Sequence, residues 1–182
     1  LSVEVARSLA SNNQLTVLKG PNAAFRELQM TIKRGEDKPW HKKAVRLAVN
    51  HAINRADIIR RVYSGEAEYS GHVPPGYGPW PLTDADLKNK YLKFDLVKAK
   101  KLMADAGLAK GFSVTMTTFA SGDYPQVSAV VQSQLKRINI DVNIVAQEAG
   151  ELRPDVDCAA KAKEMLAFLE GASVLWQLDD EV

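Results

Sequence analysis

An α/β domain, with a small mixed sheet flanked by helices, is the fold this sequence predicts. Three observations carry that expectation. Phe112-Ser-Val-Thr-Met-Thr-Thr118 alternates apolar and polar residues, the period of a half-buried strand. Ile140, Val142, Ile144 and Ala146 alternate in the same way. Between them Val127, Val130, Val131, Gln134, Leu135 and Ile138 recur at helical spacing. Strand, helix and strand in that order form a βαβ unit with parallel strands.

The other elements follow in chain order. Ser2 to Ala10 has helical spacing, and Asn12-Asn13 signals a turn. Leu15-Thr-Val-Leu18 is a short β-branched run read as a strand, closed by Gly20-Pro21. Phe25 to Ile32 alternates and reads as a second strand. A helix then starts after Pro39, a residue tolerated at a helix start. Its apolar stripe is Ala44, Val45, Leu47, Ala48, Ala52 and Ile53, with Lys42, Lys43, Arg46 and Asn50 as a solvated face.

Asn54 reads as the N-cap of the next helix, with Asp57 where a capping box places a carboxamide or carboxylate. That helix turns Ile58, Ile59 and Val62 inward and stops at Gly65. Residues 66–93 change character. Gly71-His-Val-Pro-Pro-Gly-Tyr-Gly-Pro-Trp-Pro81 is too rich in proline and glycine for a helix or central strand, so it reads as an ordered loop or lid. Asp95 caps another helix, with Leu96, Ala99, Leu102, Met103 and Ala106 inward and Gly107 at its end. Asn139 reads as a left-handed cap. A last helix over 155–170 and a short strand over 172–178 complete the expectation.

Composition excludes several classes. Hydrophobic residues make up 46% and charged residues 25%, ordinary for a globular chain, and the net charge of +2 argues against a nucleic-acid partner. No apolar run approaches the roughly 18 residues a membrane-spanning helix needs. Leu1 to Ala10 lacks the basic start and apolar block of a signal peptide, so the chain reads as cytoplasmic or as a piece whose start was removed. Cys158 has no second cysteine to pair with and reads as packing. His41, His51 and His72 are not at ligand spacing, so neither a metal nor a cofactor is expected.

Catalysis is not expected either. No Gly-x-Ser-x-Gly turn is present. Gly76-x-Gly78 leads into Pro79-Trp80 and not into a phosphate-binding helix.

Five blocks in order carry a resemblance. They are Leu15-Thr-Val-Leu-Lys-Gly-Pro21; Val45-Arg-Leu-Ala-Val-Asn-His-Ala-Ile-Asn-Arg55 with Asp57-Ile-Ile59; and Gly71-His-Val-Pro-Pro-Gly76. Phe94-Asp95 with Ala99-Lys-Lys-Leu102 and Ala106-Gly107 is the fourth. Tyr124-Pro125 through Gln132-x-Gln134-Leu135 and Ile138-Asn-Ile-Asp-Val142 is the fifth. Together they resemble the extracytoplasmic solute-binding proteins of ABC importers, in the large peptide- and nickel-binding family. The likeness covers residues 1–148 and only the carboxy-terminal lobe. Asn139 stands where that family usually has glycine. Residues 149–182 are unmatched: Glu151-Leu-Arg-Pro-Asp-Val-Asp-Cys158 replaces the family's ligand-gripping segment, and Trp176-Gln-Leu-Asp179 lacks its context. They are expected to pack on the same domain. The chain reads as a truncated product or a fragment.

The resemblance implies one lobe of a type II periplasmic binding protein. It implies a periplasmic or extracytoplasmic setting, an ABC permease as partner, and a small peptide or similar solute held without catalysis. The expected binding residues lie on two loops: Tyr69, His72, Tyr77 and Trp80 on the first, Phe119, Ser121, Asp123 and Tyr124 on the second. The second follows a strand and opens a helix, where α/β folds place ligands. Plainer roles stand beside these. Tyr77 and Trp80 fit loop packing, and Asp123 fits a helix cap. The alternative to transport is a remnant that acts as an interaction module, forming a homodimer through an exposed cleft face bearing Tyr77, Trp80, Phe119 and Tyr124.

Overall fold

A computed structural model describes residues 3–18, 25–30, 37–75 and 77–148. Within them the elements run α1 (Val3–Ala10), α2 (Lys43–Ala52), α3 (Arg55–Tyr63), α4 (Asp84–Asp86), α5 (Leu96–Asp105), β1 (Phe112–Phe119), α6 (Tyr124–Leu135) and β2 (Ile140–Gln147). The expected helix at 155–170, the strand at 172–178 and Cys158 lie outside the described residues.

The βαβ unit forms as predicted. β1 and β2 pair in parallel, from Phe112↔Ile140 to Phe119↔Gln147. Phe112, Val114 and Met116 turn toward the core, as do the buried Ile140 and Val142. α6 covers that face with Val131 and Leu135, and Ser128 Oγ donates to Thr118 Oγ1 at 3.0 Å. α6 passes through a short 3-10 turn into Asn139, whose φ of 62° is the left-handed conformation expected of it. Its side chain fastens the turn, with Nδ2 donating to Ala109 O at 2.8 Å. Opposite, Gly111 has φ 77°, and an added Cβ would lie 1.7 Å from Asn139 O, so only glycine fits.

The helices explain themselves from their stripes and caps. Pro39 opens a 3-10 turn over Pro39–His41 that leads into α2. α2 buries Val45, Ala48, Val49 and Ala52, positions spaced to form one face. Val49 therefore takes the inward place expected of Leu47, which is 38% exposed. Ala48 and Ala99 are both fully buried, and these small side chains let α2 and α5 approach closely.

Arg46 is not the solvated residue that its helical position suggested. Its Nη1 donates to Trp40 O and His41 O at 2.8 Å each and holds the 3-10 turn. Lys42 likewise reaches Ala106 O at 3.0 Å.

Asn54 caps α3 as expected, accepting from the Asp57 N–H at 3.1 Å. The reciprocal half of the box is absent. Asp57 accepts from Arg60 and, at 2.9 Å, from Arg61, while the Asn54 N–H goes to the buried Gln134 side chain at 2.9 Å. The left-handed turn after α3 begins at Ser64, with φ 52°, one residue ahead of the expected Gly65. Polar residues around Asn54 also hold distant backbone. Asn50 Nδ2 donates to Tyr91 O at 2.7 Å and His51 Nδ1 to Lys93 O at 2.8 Å. Arg55 Nη2 donates to Asn50 Oδ1 at 2.8 Å.

Asp95 caps α5 through the Lys98 N–H at 2.9 Å, and Gly107 ends the helix with φ 75°. The short helical stretch from α4 through Leu87–Tyr91 was not anticipated inside the proline-rich region. Thr83 caps it through the Asp86 N–H at 3.1 Å, and the buried Leu87 anchors it.

Two expected strands do not form. Leu15–Leu18 and the described part of the second run, Phe25–Met30, are irregular, and the described sheet has two strands. Alternation marks which side chains face inward, and Leu28 and Met30 do pack on the core. A strand also needs a neighbour offering its N–H and C=O groups, and these segments have none among the described residues.

Candidate functional site

Parallel strands end together. Phe119 and Gln147 close β1 and β2 at one edge of the lobe, and Ala120 extends the pairing by donating to Gln147 O at 2.9 Å. The chain then bends through Ser121 and Gly122 into α6. Asp123 and Tyr124 therefore sit at the positive end of a helix beside the carboxyl ends of the strands.

The Asp123 carboxylate does not cap that helix. Arg26 donates to its Oδ1 from Nε at 3.1 Å and from Nη2 at 2.6 Å. Tyr63, the last residue of α3, donates its hydroxyl to Oδ2. The Arg26 guanidinium also lies 4.3 Å from the centroid of the Tyr124 ring, a cation–π contact. Phe119 meets Tyr124 edge-on at 5.1 Å between centroids. Arg26, Tyr63, Phe119, Asp123 and Tyr124 thus form one cluster from three parts of the chain, the last three sharing the turn from β1 into α6.

Electrostatics keeps these groups in fixed states. Burial pushes the Asp123 carboxyl up, but the hydrogen bonds from Arg26 and Tyr63 outweigh it and hold the group below the usual range. Burial and the neighbouring carboxylate push the Tyr63 hydroxyl well above its ordinary value. Burial acts to lower the Arg26 value, and its bond to Asp123 raises it further than burial lowers it. At neutral pH the cluster holds one anion, one cation and a protonated phenol. None of them is poised to exchange a proton, so the arrangement suits binding and not acid–base chemistry.

Of the eight residues expected at the site, the structure brings Phe119, Asp123 and Tyr124 together. Ser121 is exposed in the same loop. His72 is exposed, packs edge-on against Phe25 at 6.3 Å and has Nδ1 3.6 Å from Glu27. His72 therefore contacts the residues on either side of Arg26 in the chain. Tyr69 is partly buried under Lys88, whose Nζ lies 5.2 Å from the ring centroid. Tyr77 and Trp80 are 55% and 79% exposed, and no contact among the described residues joins them to the cluster.

Sequence reasoning missed Arg26 and Tyr63. Arg26 sits in a run read as a strand, 97 residues from Asp123, and Tyr63 lies in a helix of which only Ile58, Ile59 and Val62 were singled out. Among the described residues no group of three or more His, Cys, Asp or Glu could hold a metal ion. No helix among them is long and apolar enough to cross a membrane.

A parallel βαβ lobe with a polar and aromatic cluster at the carboxyl ends of its strands is an arrangement on which α/β folds commonly place ligands. Comparison identifies the kind of protein. The profile of bacterial extracellular solute-binding proteins, family 5 (middle), matches residues 1–173, and the chain belongs to that family. The match reaches past Glu148, where the motif resemblance stops.

Among curated relatives, the glutathione-binding protein GsiB of Pectobacterium atrosepticum is 29% identical over 156 residues, 85% of this chain. The GsiB of Salmonella choleraesuis is 32% identical over 162 residues. In both cases the chain spans 29% of the relative's length.

Among solved structures, the periplasmic binding protein DppA of Helicobacter pylori, in complex with the peptide STSA, is 36% identical with a TM-score of 0.53. That likeness covers 63% of this chain and 21% of the other. A dipeptide-binding protein from Pseudoalteromonas in complex with Met-Leu is 29% identical with a TM-score of 0.51, over 63% of this chain and 23% of the other. The fold is that of part of a type II periplasmic binding protein, and family members bind solutes without transforming them.

Proposed function

We propose that this lobe holds a small peptide, a dipeptide, oligopeptide or similar solute, for an ABC importer, by binding without catalysis and outside the cytoplasm. The observation that carries this is the cluster of Asp123, Arg26, Tyr63, Tyr124 and Phe119 at the strand ends, in a chain of this family. It offers charge-assisted hydrogen bonds beside exposed aromatic surface, the combination that orients a small polar solute. The relatives' own ligands, glutathione, STSA and Met-Leu, are peptides and support the same class. His72 and Ser121 are included in the proposed site, supported by the contacts of His72 with the chain neighbours of Arg26 and by the place of Ser121 in the loop ahead of Asp123. The permease is the partner that the solute would be delivered to.

A second reading is favoured by the exposure of Trp80, Tyr77 and Phe119. Exposed aromatic surface of that kind suits an interaction module or a homodimer.

Native mass spectrometry of the purified chain, first alone and then with a dipeptide mixture, separates the two. Solute binding predicts a monomer that carries or takes up a peptide-sized mass. A dimer that takes up nothing at millimolar dipeptide overturns it in favour of the module.

A further inference from the structure

We infer that a recess at the amino ends of the two strands is a second ligand site, which takes a small dicarboxylate through Lys100 and Arg137. It stands apart from the cluster at the carboxyl ends and does not depend on the function proposed for that cluster.

Its place in the fold separates it from the first site. Lys100, Met103, Ala109, Arg137, Ile138 and Asn139 line a recess of about 220 Å³. Ala109 stands just ahead of β1, and Asn139 immediately ahead of β2. Asp123 and Tyr124 lie past the other end of the same strands. Strands of eight residues, at about 3.3 Å per residue, put more than roughly 20 Å between the two edges. A small solute on one edge therefore leaves the other open.

Charge decides the class of ligand. Lys100 projects from α5 and Arg137 from the turn Lys136–Ile138, and both are exposed. Among the described residues no carboxylate pairs with either. The carboxylates that do hold ion pairs are spent elsewhere: Asp105 on Lys101, Asp84 on Lys88, Asp57 on Arg60 and Arg61, Asp123 on Arg26. Asp141 is close along the chain but alternates onto the exposed side of β2, opposite the buried Ile140. An ammonium and a guanidinium offer donors only, and a carboxylate is the complement of each. Two cations with no acid beside them favour a dianion.

Shape decides its size. Met103 and Ile138, each 2% exposed, close the floor. An apolar floor beside two cations suits two carboxylates joined by a short hydrocarbon stem. The volume is below the roughly 300–1,000 Å³ of sites for drug-sized molecules, so the ligand is small. The walls are also fixed in advance. The Arg137 guanidinium lies 5.8 Å from the centroid of the Phe94 ring, and Asn139 Nδ2 donates to Ala109 O at 2.8 Å. Walls already in place keep the ordering cost of binding low.

The test is an NMR titration of the isotope-labelled whole chain with succinate, and in parallel with its diamide, succinamide, and with the monoanion propionate. Amide shifts with succinate should saturate at residues 100–103, 109 and 137–139, while residues 119–124 stay still. Succinate should bind at least about tenfold more tightly than propionate, the worth of one charge-assisted hydrogen bond, and succinamide should give no saturable shift. Lys100→Gln and Arg137→Gln should each weaken succinate at least about tenfold. Both side chains are exposed, and the comparison of the three compounds on the wild type needs no variant. Shifts that do not saturate, that spread over lysines of other faces, or that centre on residues 119–124 overturn the inference. So does propionate binding as tightly as succinate, or unchanged succinate binding in both variants. None of these outcomes bears on dipeptide binding at the cluster.

Discussion

Asp123 illustrates how one residue acquires its role. A carboxylate just ahead of a helix usually accepts from that helix's own N–H groups. Here Arg26 and Tyr63 reach it first, and the carboxylate becomes the joint between the 25–30 segment, α3 and α6. The sign of its pH dependence follows. Its folded-state value is depressed, so its contribution is present above the ordinary carboxylate range and is lost as pH falls through the folded value. The side chain is partly exposed, which limits the contribution to about 1 kcal/mol. Melting midpoints between pH 7 and pH 3 should fall less steeply in Asp123→Asn than in the wild type. Identical slopes would show that the joint carries no stability. His51 and Arg55 make the same point for structure, since each is a polar motif residue spent on holding backbone or a neighbouring side chain.

The site depends on how α3 lies along α6. The two are tied at both ends. Near the amino end of α3, Gln134 accepts from the Asn54 N–H at 2.9 Å and donates to Asn54 O at 3.2 Å. At the carboxyl end, Tyr63 donates to Asp123. The helices therefore run antiparallel, and Gln134 sets the register that carries Tyr63 to the site. Gln134 is buried, so removing its amide strands the Asn54 backbone groups. Gln134→Ala should cost about 1–3 kcal/mol in urea denaturation. Amide exchange at residues 54–57 should quicken more than in α5. A uniform change across the chain would mean that the tie is not local. Gln134 read as an apolar-face position in the sequence, and only its spacing hinted at burial.

At the scale of the molecule, one core unites the layers. Met103 and Ala99 of α5, Val45 and Ala48 of α2, Leu135 of α6 and Ile140 of β2 belong to a single buried cluster. Met103 is among its largest fully buried side chains. Met103→Ala should destabilise by about 2–5 kcal/mol, from lost burial and the cavity left behind. Circular dichroism and tryptophan fluorescence should shift together, because no layer has a core of its own. Separate transitions would divide the lobe into independent units.

Local pattern determined much of this protein. The alternation over 112–118 and 140–146 sufficed for two parallel strands, because a right-handed crossover of one helix leaves few other arrangements. The caps at Asn54 and Asp95 and the left-handed Asn139 were legible because each is a short-range contest between side chain and backbone. The five motif blocks were enough for the family. Tertiary structure decided the rest. The runs at 15–18 and 25–30 carry strand-like patterns but form no ladder among the described residues, since pairing belongs to two segments and not to one. Arg46 left its solvated face for two carbonyls that only the folded turn presents. The site had the longest reach of all. Phe119, Asp123 and Tyr124 are neighbours along the chain and could be read as a loop at a strand end. Arg26 and Tyr63 complete it from across the sequence, and no local periodicity records a contact that exists only once three distant segments have packed.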